Sequence, residues 1–437
     1  MNIKRIAVNK LFGIFDHDIL LKDNGITIVI GENGLGKTVI LEMMNAFFNE
    51  KFNYFNNIEF EKIKFEFDNE VIWHIEKSNR QLVIINNCKD SFTIELDNDE
   101  EIMGVALKIS RRVPFIKRRP NGWMDIRNGE YLSAYDIVDR YSNGLYSLEI
   151  NEEVEFVLPN RPQWFNEIQE KIKVDLVKTQ RLLFVERKFD SSEVIPAVEK
   201  YSYDIKSKIK EKLAESSELS SKLDRTYPKR LINHVNSNRN KETSNGILEK
   251  LSELENKREK LSKVGLMDKG IEADILKNND LQSDTIKDVL MIYVSDSFEK
   301  LEVFDDISPK IELLLNIINN RFKHKKLYIN KENGFDFKST VIKGENGEYK
   351  SIPVNKLSSG EQNELILFYE LIFKAEENSL ILIDEPEISL HISWQNNFIK
   401  DLKEINRISK LNVIIATHSP DIIGDNWDSS VELQGVE

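Results

Sequence analysis

The sequence predicts an α/β protein in which the two ends of the chain build one sheet, an antiparallel β-layer flanks it, and a helical module is inserted between them. Three observations carry that reading. An apolar run, Ile26–Ile30, leads directly into a glycine-rich loop and an apolar-periodic helix, as a buried parallel strand does. Two further apolar runs, 380–383 and 414–416, return near the C-terminus. Between them, residues 198–317 shift to Lys, Glu, Ser and Leu with helical spacing.

Residues 3–8 and 18–21 read as short strands, and the turn residues Asn24 and Gly25 precede the apolar run. From 58 to 96 apolar residues alternate (Phe60, Ile63, Phe65, Phe67, then Val71, Trp73, Ile75), with breaks at Asp68-Asn69 and Asn86-Asn87. That is the pattern of an antiparallel meander. In the central region Leu248, Leu251, Leu254 and Leu261 share a helical stripe of about two heptads, too short for a long coiled-coil arm and fitting the core face of a helical hairpin. Tyr227-Pro228 is expected to interrupt the helical pattern. After Leu327 strands return, with turns at Asn333-Gly334 and Asn346-Gly347, followed by a loop, a helix over 365–373 and the two apolar strands. The expected division is a split head, 1–190 and 322–437, around a helical insertion, 191–321.

A chain of 437 residues fits one or two domains of the usual ~150-residue size. Its composition, 40% hydrophobic and 31% charged, is that of a globular protein with long polar helical surfaces. No apolar run approaches the ~20 residues that span a bilayer. The first fifteen residues carry Lys4, Arg5, Asn9 and Lys10 where a secretory signal needs an apolar core, so a cytoplasmic location is expected. The lone Cys88 excludes an intrachain disulfide or a thiolate metal cluster, and six scattered histidines show no metal spacing. Any metal should be a hard, oxygen-bound ion. The net charge of −13 argues against a chain coated in nucleic acid but leaves room for a local basic groove. Lys108, Arg111, Arg112, Lys117, Arg118 and Arg119 place six cations and no acid in twelve residues, a patch suited to DNA, RNA or an acidic protein, or to a solvated loop.

The sharpest motif is Gly31-Glu32-Asn33-Gly34-Leu35-Gly36-Lys37-Thr38, a match to G-x-x-x-x-G-K-[ST] placed after a strand and before a helix. Its glycines let backbone N–H groups face a phosphate. Asn33, Gly34 and Gly36 form the cradle, Lys37 reaches the β- and γ-phosphates, and the Thr38 hydroxyl suits Mg2+. The run 379–385 ends in Asp384-Glu385, beside the phosphate loop if the sheet is parallel. Asp384 then suits Mg2+ and Glu385 the attacking water. Leu357-Ser358-Ser359-Gly360-Glu361-Gln362 precedes an apolar helix; read alone it is equally an ordinary N-cap.

The glycine loop, the Ser358-Gly360 segment, the Asp384-Glu385 strand end and Ile414-Ile415-Ala416-Thr417-His418 stand in the order seen in ABC-type ATPases of the SMC/RecF/OLD group, which the chain resembles. The resemblance implies an ABC-type ATPase head binding ATP with Mg2+. It also implies a homodimer or higher homo-oligomer in which Ser358 and Gly360 of one copy complete the pocket of the other. By the same resemblance His418 meets the γ-phosphate, Gln180 contacts metal and water, and residues 387–391 communicate across the dimer. Leu223-Asp224-Arg225-Thr226-Tyr227-Pro228-Lys229-Arg230 and the segment 416–425 further resemble stand-alone ATPase subunits of bacterial anti-phage systems of the PARIS and Septu kinds. Only 19 residues follow His418, so the nuclease domain of OLD-type relatives is not expected, and an effector is expected as a separate protein. The competing expectation is a DNA-repair ATPase that binds DNA, with a transporter subunit behind it.

Overall fold

The computed structural model describes residues 1–96, 99–113, 115–120, 122–126, 131–134, 136–138, 161–177, 183–188, 191–236, 243–268, 283–388 and 390–435. They form two compact units, one of residues 1–180, 187–192 and 375–437, the other of 181–186 and 193–374.

In the first unit the chain opens with β1 (Ile3–Leu11), β2 (Phe15–Leu20) and β3 (Ile26–Ile30), then α1 (Lys37–Phe48). The expected meander follows as β4 (Lys62–Phe67), β5 (Ile72–Ser78), β6 (Gln81–Asn86) and β7 (Asp90–Glu95). These join β1 and β2 in a six-stranded sheet of order β2-β1-β4-β5-β6-β7 in which each neighbouring pair is antiparallel. Next come α2 (Asp99–Arg112), a three-stranded sheet of β8 (Ile116–Arg119), β9 (Gly122–Asp125) and β10 (Tyr131–Leu132), α3 (Gln163–Lys171) and β11 (Val174–Val177). A two-stranded sheet, β12 (Leu183–Lys188) and β13 (Ser191–Pro196), follows, with residues 187–188 and 191–192 counted in the first unit and the rest in the second.

The second unit contains α4 (Ala197–Asn236), α5 (Ser244–Lys263), α6 (Asp284–Glu302) and α7 (Ser308–Arg321), then an antiparallel sheet of β14 (Lys325–Asn330), β15 (Gly334–Lys343) and β16 (Tyr349–Ile352), and α8 (Ser359–Tyr369). A π-helical turn, Glu370–Lys374, ends it. The chain then returns to the first unit with β17 (Leu380–Asp384), α9 (Ile392–Ser409), β18 (Asn412–Ala416), α10 (Pro420–Ile423) and β19 (Ser430–Glu432).

The central sheet of the first unit is wholly parallel, in the order β11-β17-β18-β3-β19. The two apolar C-terminal strands lie beside the apolar N-terminal one, so the ends of the chain do build one sheet. Its strands read as continuous apolar runs because both faces are covered. On one side α1 anchors the sheet through Phe47, fully buried among Phe48, Phe52, Phe55, Phe65, Trp73 and Phe165. This aromatic cluster ties the helix that follows the glycine loop to the antiparallel layer, and it fixes where the loop stands.

Two expectations change. The head was expected to resume at 322, but 322–374 packs with the helices of the second unit: Arg321 of α7 forms a buried ion pair with Glu364 of α8, and Tyr201 of α4 stacks on Tyr369 at 4.9 Å. Nor does Pro228 break the helix; α4 runs through it for 40 residues. The turn ahead of the proline is held by side-chain donors, with Arg230 Nη2 donating to the Leu223 carbonyl at 2.9 Å and Thr226 Oγ1 to that of Lys222 at 3.1 Å. Arg230 also grips Asp296 of α6, which makes the Leu223–Arg230 stretch a joint between two helices. Of the leucine stripe Leu254 and Leu261 are buried and Leu248 and Leu251 half-buried, and the buried face takes in Ile247 instead.

Candidate active site

The glycine loop connects β3 to α1 at the C-terminal edge of the parallel sheet, where such sheets place ligands. Gly36 caps the helix at φ 87°, and a Cβ there would lie 2.6 Å from Leu11 Cδ2, so only glycine fits. Leu35 is buried and its carbonyl accepts a 2.7 Å hydrogen bond from His17 Nε2 on β2. Burial lowers the His17 pKa, which keeps the ring neutral. Glu32, Asn33 and Gly34 are left exposed at the mouth of the loop. The first α-helical bond runs from Ile40 N to Gly36 O at 2.9 Å, so the N–H groups of the turn before it point out of the helix end.

The Lys37 ammonium folds back over the loop, donating to the carbonyls of Gly31 (2.8 Å) and Glu32 (2.9 Å). Burial lowers its pKa, while Glu385, Asp384 and Glu387 oppose that shift. Thr38 Oγ1 donates to Asp384 Oδ1 at 3.0 Å, joining the start of α1 to the end of β17. Burial pushes Asp384 up to about 6; the Thr38 hydroxyl works against this, and the nearby charges of Glu385, Glu42 and Glu387 add to it. A half-buried carboxylate that is costly to ionise without a counter-charge, beside a hydroxyl, is an oxygen donor set suited to a hard divalent cation, so Thr38 and Asp384 fit Mg2+.

Glu385 comes one residue past the ladder, with its N–H donating to the Ala416 carbonyl at 2.9 Å and its backbone at φ 44°. A left-handed glutamate is strained by roughly 1–3 kcal/mol and persists only where its surroundings impose it. The turn leaves the carboxylate one-third exposed, 3.8 Å from His418 Nε2. The other ring nitrogen, His418 Nδ1, stands 3.4 Å from Lys37 Nζ. An ammonium can only donate, so at this contact Nδ1 is the acceptor.

The loop bearing His418 is tied to the segment after Glu385. Glu387 accepts from Thr417 Oγ1 (2.8 Å) and from the His418 N–H (2.7 Å). Ser419 Oγ donates to Gln395 Oε1 at 2.7 Å, and Gln395 Nε2 in turn donates to the Leu390 carbonyl at 3.2 Å.

In the second unit Ser358 is the N-cap of α8 in a complete capping box: its hydroxyl accepts from Glu361 N (3.4 Å) and its N–H donates to Glu361 Oε2 (2.9 Å). Lys325 of β14 holds the same carboxylate at 2.8 Å. Ser358 and Ser359 are exposed and Gly360 is half-buried, so the turn is an N-cap satisfied within its own unit and open to solvent.

The structure thus gathers Lys37, Thr38, Asp384, Glu385 and His418 in the first unit and sets Ser358 and Gly360 at a helix start in the second. Gln180 lies outside the described residues, as does Ser389 within the 387–391 segment. Reading the sequence missed His17, which looks like any residue of an alternating strand, and Gln395, one polar residue in an amphipathic helix. Glu387 was placed only at an interface. The basic segment is not a bare loop: exposed Lys108 and Arg111 ride on α2, and exposed Lys117, Arg118 and Arg119 on β8, with Arg118 5.0 Å from the Trp123 ring centroid.

A parallel sheet carrying this loop, paired strand-end carboxylates and a histidine after the next strand, with an antiparallel layer and a helical module, defines an ATPase head of the ABC type. The chain belongs to the AAA ATPase domain family, whose model matches residues 1–423, and it is an ATPase. It is similar to the tungstate uptake system ATP-binding protein TupC of Peptoclostridium acidaminophilum, 24% identical over 174 residues that make up 40% of this chain and 74% of that one. Among solved structures it aligns with the Smc head domain of Pyrococcus furiosus bound to the C-terminal domain of ScpA (13% identity, TM-score 0.34, 99% of this chain and 94% of that one). It also aligns with the SMC head domain of Thermotoga maritima (11% identity, TM-score 0.32, all of both chains). Among the described residues no helix is long and apolar enough to cross a membrane.

Proposed function

We propose that this ATPase works as a nucleotide-switched homo-oligomer in anti-phage defence, holding a separate effector protein in the cytoplasm and changing its grip with the state of the bound ATP. The observation that carries the oligomer is Ser358. It stands exposed at the start of α8, its unit has no phosphate loop among the described residues, and the N–H groups of that helix start suit a phosphate presented by a second copy. The defence role rests on the likeness of residues 223–230 and 416–425 to defence ATPases.

In this reading Lys37, the loop N–H groups and Thr38 hold the triphosphate, and Thr38 and Asp384 hold Mg2+, which supplies charge neutralisation when bound. Glu385 orients the attacking water and takes its proton, and His418 meets the γ-phosphate. Ser358 and Gly360 of the neighbouring copy complete the charge clamp, so closure depends on the γ-phosphate. The test is Glu385→Gln. It should lower turnover by about 10²–10⁴-fold, the usual contribution of a positioned base, and accumulate an ATP-bound oligomer on size-exclusion chromatography. Unchanged turnover removes Glu385 from the mechanism, and a variant that stays monomeric with ATP removes the switch. Co-purification of the chain, expressed from its native locus, with a separate protein that ATP releases or retains tests the effector; DNA-stimulated turnover instead would favour the repair reading.

A further inference from the structure

Glu387 sits two residues beyond the proposed base, yet its geometry suits neither a base nor a surface contact. Both carboxylate oxygens are engaged, Oε2 by the Thr417 hydroxyl at 2.8 Å and Oε1 by the His418 N–H at 2.7 Å. A carboxylate that already accepts from two fixed donors is poorly placed to take a proton from water. Its partners are built in: Thr417 has no exposed surface, and Gln395, nearly buried, bridges Ser419 to the Leu390 carbonyl on the same stretch of chain. Residues 417–419 are therefore pinned at three points to the segment that begins right after Glu385.

We propose that Glu387 is a positioning residue of the ATPase reaction that acts through His418. Its carboxylate fixes the backbone at His418 so that the imidazole stays between Lys37 Nζ (3.4 Å) and the Glu385 carboxylate (3.8 Å). Charge-assisted hydrogen bonds are short and directional, which makes a carboxylate the group to hold a loop in one register. An amide in its place keeps one acceptor and turns a donor toward a donor. The same clamp links any movement of 387–391 to the histidine, which gives that segment a route to the γ-phosphate inside one chain. The inference rests on the reading of His418 as the γ-phosphate contact.

Steady-state ATP turnover of the full chain tests it in a double-mutant cycle. Glu387→Gln should lower kcat by roughly 10–100-fold, the scale of a small misplacement of a reacting group, with KM for ATP changed less than about threefold. In a His418→Ala background, Glu387→Gln should cost less than about twofold more, because the group it positions is already gone. Losses that multiply across the two positions, or a raised KM with kcat unchanged, overturn the proposal. If Glu387→Gln does not fold, Thr417→Val removes one of the two donors at nearly constant volume and should show a smaller loss with the same kcat split and the same non-additivity; independent losses there also overturn it. If His418→Ala turns over like the parent, the histidine reading fails, and a Glu387→Gln loss in the same assay then shows that Glu387 acts by another route.

Discussion

The phosphate loop and the Ser358 turn are both helix N-termini with glycine nearby, and they are finished in opposite ways. At the loop the cap is Gly36, whose missing side chain leaves the first-turn N–H groups open, and the charges around it are unbalanced: a buried lysine, a carboxylate held up to about 6 and a left-handed glutamate. At α8 the cap is a serine whose hydroxyl and N–H are satisfied by Glu361, itself neutralised by Lys325. The first leaves its helix-start N–H groups without a side-chain partner from its own turn; the second is satisfied within its own turn and exposed. Under the proposed division into a receiving and a completing surface, the completing half would have to hold its shape before it meets its partner, and the satisfied cap at α8 meets that condition.

The widest gap between the two regions should appear on removing Lys37. Lys37→Ala deletes the cation and both loop-closing hydrogen bonds, so affinity for a fluorescent ATP analogue should fall by about 10³-fold, of the order of several charge-assisted bonds. Binding within tenfold of the parent would mean that the loop is not the receiving half. Ser358→Asp sharpens the other side. Aspartate is a good N-cap, but the Ser358 hydroxyl also donates to Glu361 Oε2 at 3.0 Å, so the variant trades that bond for a like-charge contact and should melt a few degrees lower, and it sets a carboxylate where the γ-phosphate should arrive. Turnover should fall by about 10²-fold, the loss seen on removing one oxyanion donor, with ATP affinity of the isolated chain unchanged. Parental turnover in that variant would leave Ser358 as a cap and nothing more.

How much of this was legible beforehand follows from how local each signal is. The loop, the parallel strands and the strand-end carboxylates are contiguous motifs whose period and residue type carry the chemistry, and Thr38 does meet Asp384 across 346 residues of chain. The division between units was misplaced because 322–374 has strand character like the head, and only packing, through Arg321–Glu364 and Tyr201–Tyr369, assigns it elsewhere. Pro228 misled for the same reason: its cost is local, and the donors that compensate it, Arg230 among them, are set by the fold. His17 and Glu387 act on backbone atoms, Leu35 O and His418 N, and a contact to backbone leaves no trace in the partner's residue type.

The smallest expected effect separates the regions by pH. Burial pushes Asp384 up to about 6 from its ordinary 3.8, so ionising it is harder in the folded chain than in the unfolded one. The sign follows: this group costs no stability below about pH 4, costs progressively more as pH rises toward 6, and costs its full amount above that. Asp384→Asn removes the cost while keeping an oxygen for Thr38, so without nucleotide the variant should melt a few degrees higher than the parent at pH 7.5, and the gain should vanish at pH 4. With Mg2+ and ATP the order should reverse at pH 7.5, since the parent then gains binding energy that the asparagine forgoes. Calorimetry at the two pH values, with and without Mg2+·ATP, checks both signs. A gain that persists at pH 4 would assign it to packing, and a variant that melts lower than the nucleotide-free parent at pH 7.5 would mean that this carboxylate already has its partner within the chain, leaving the loop as self-sufficient as the serine turn.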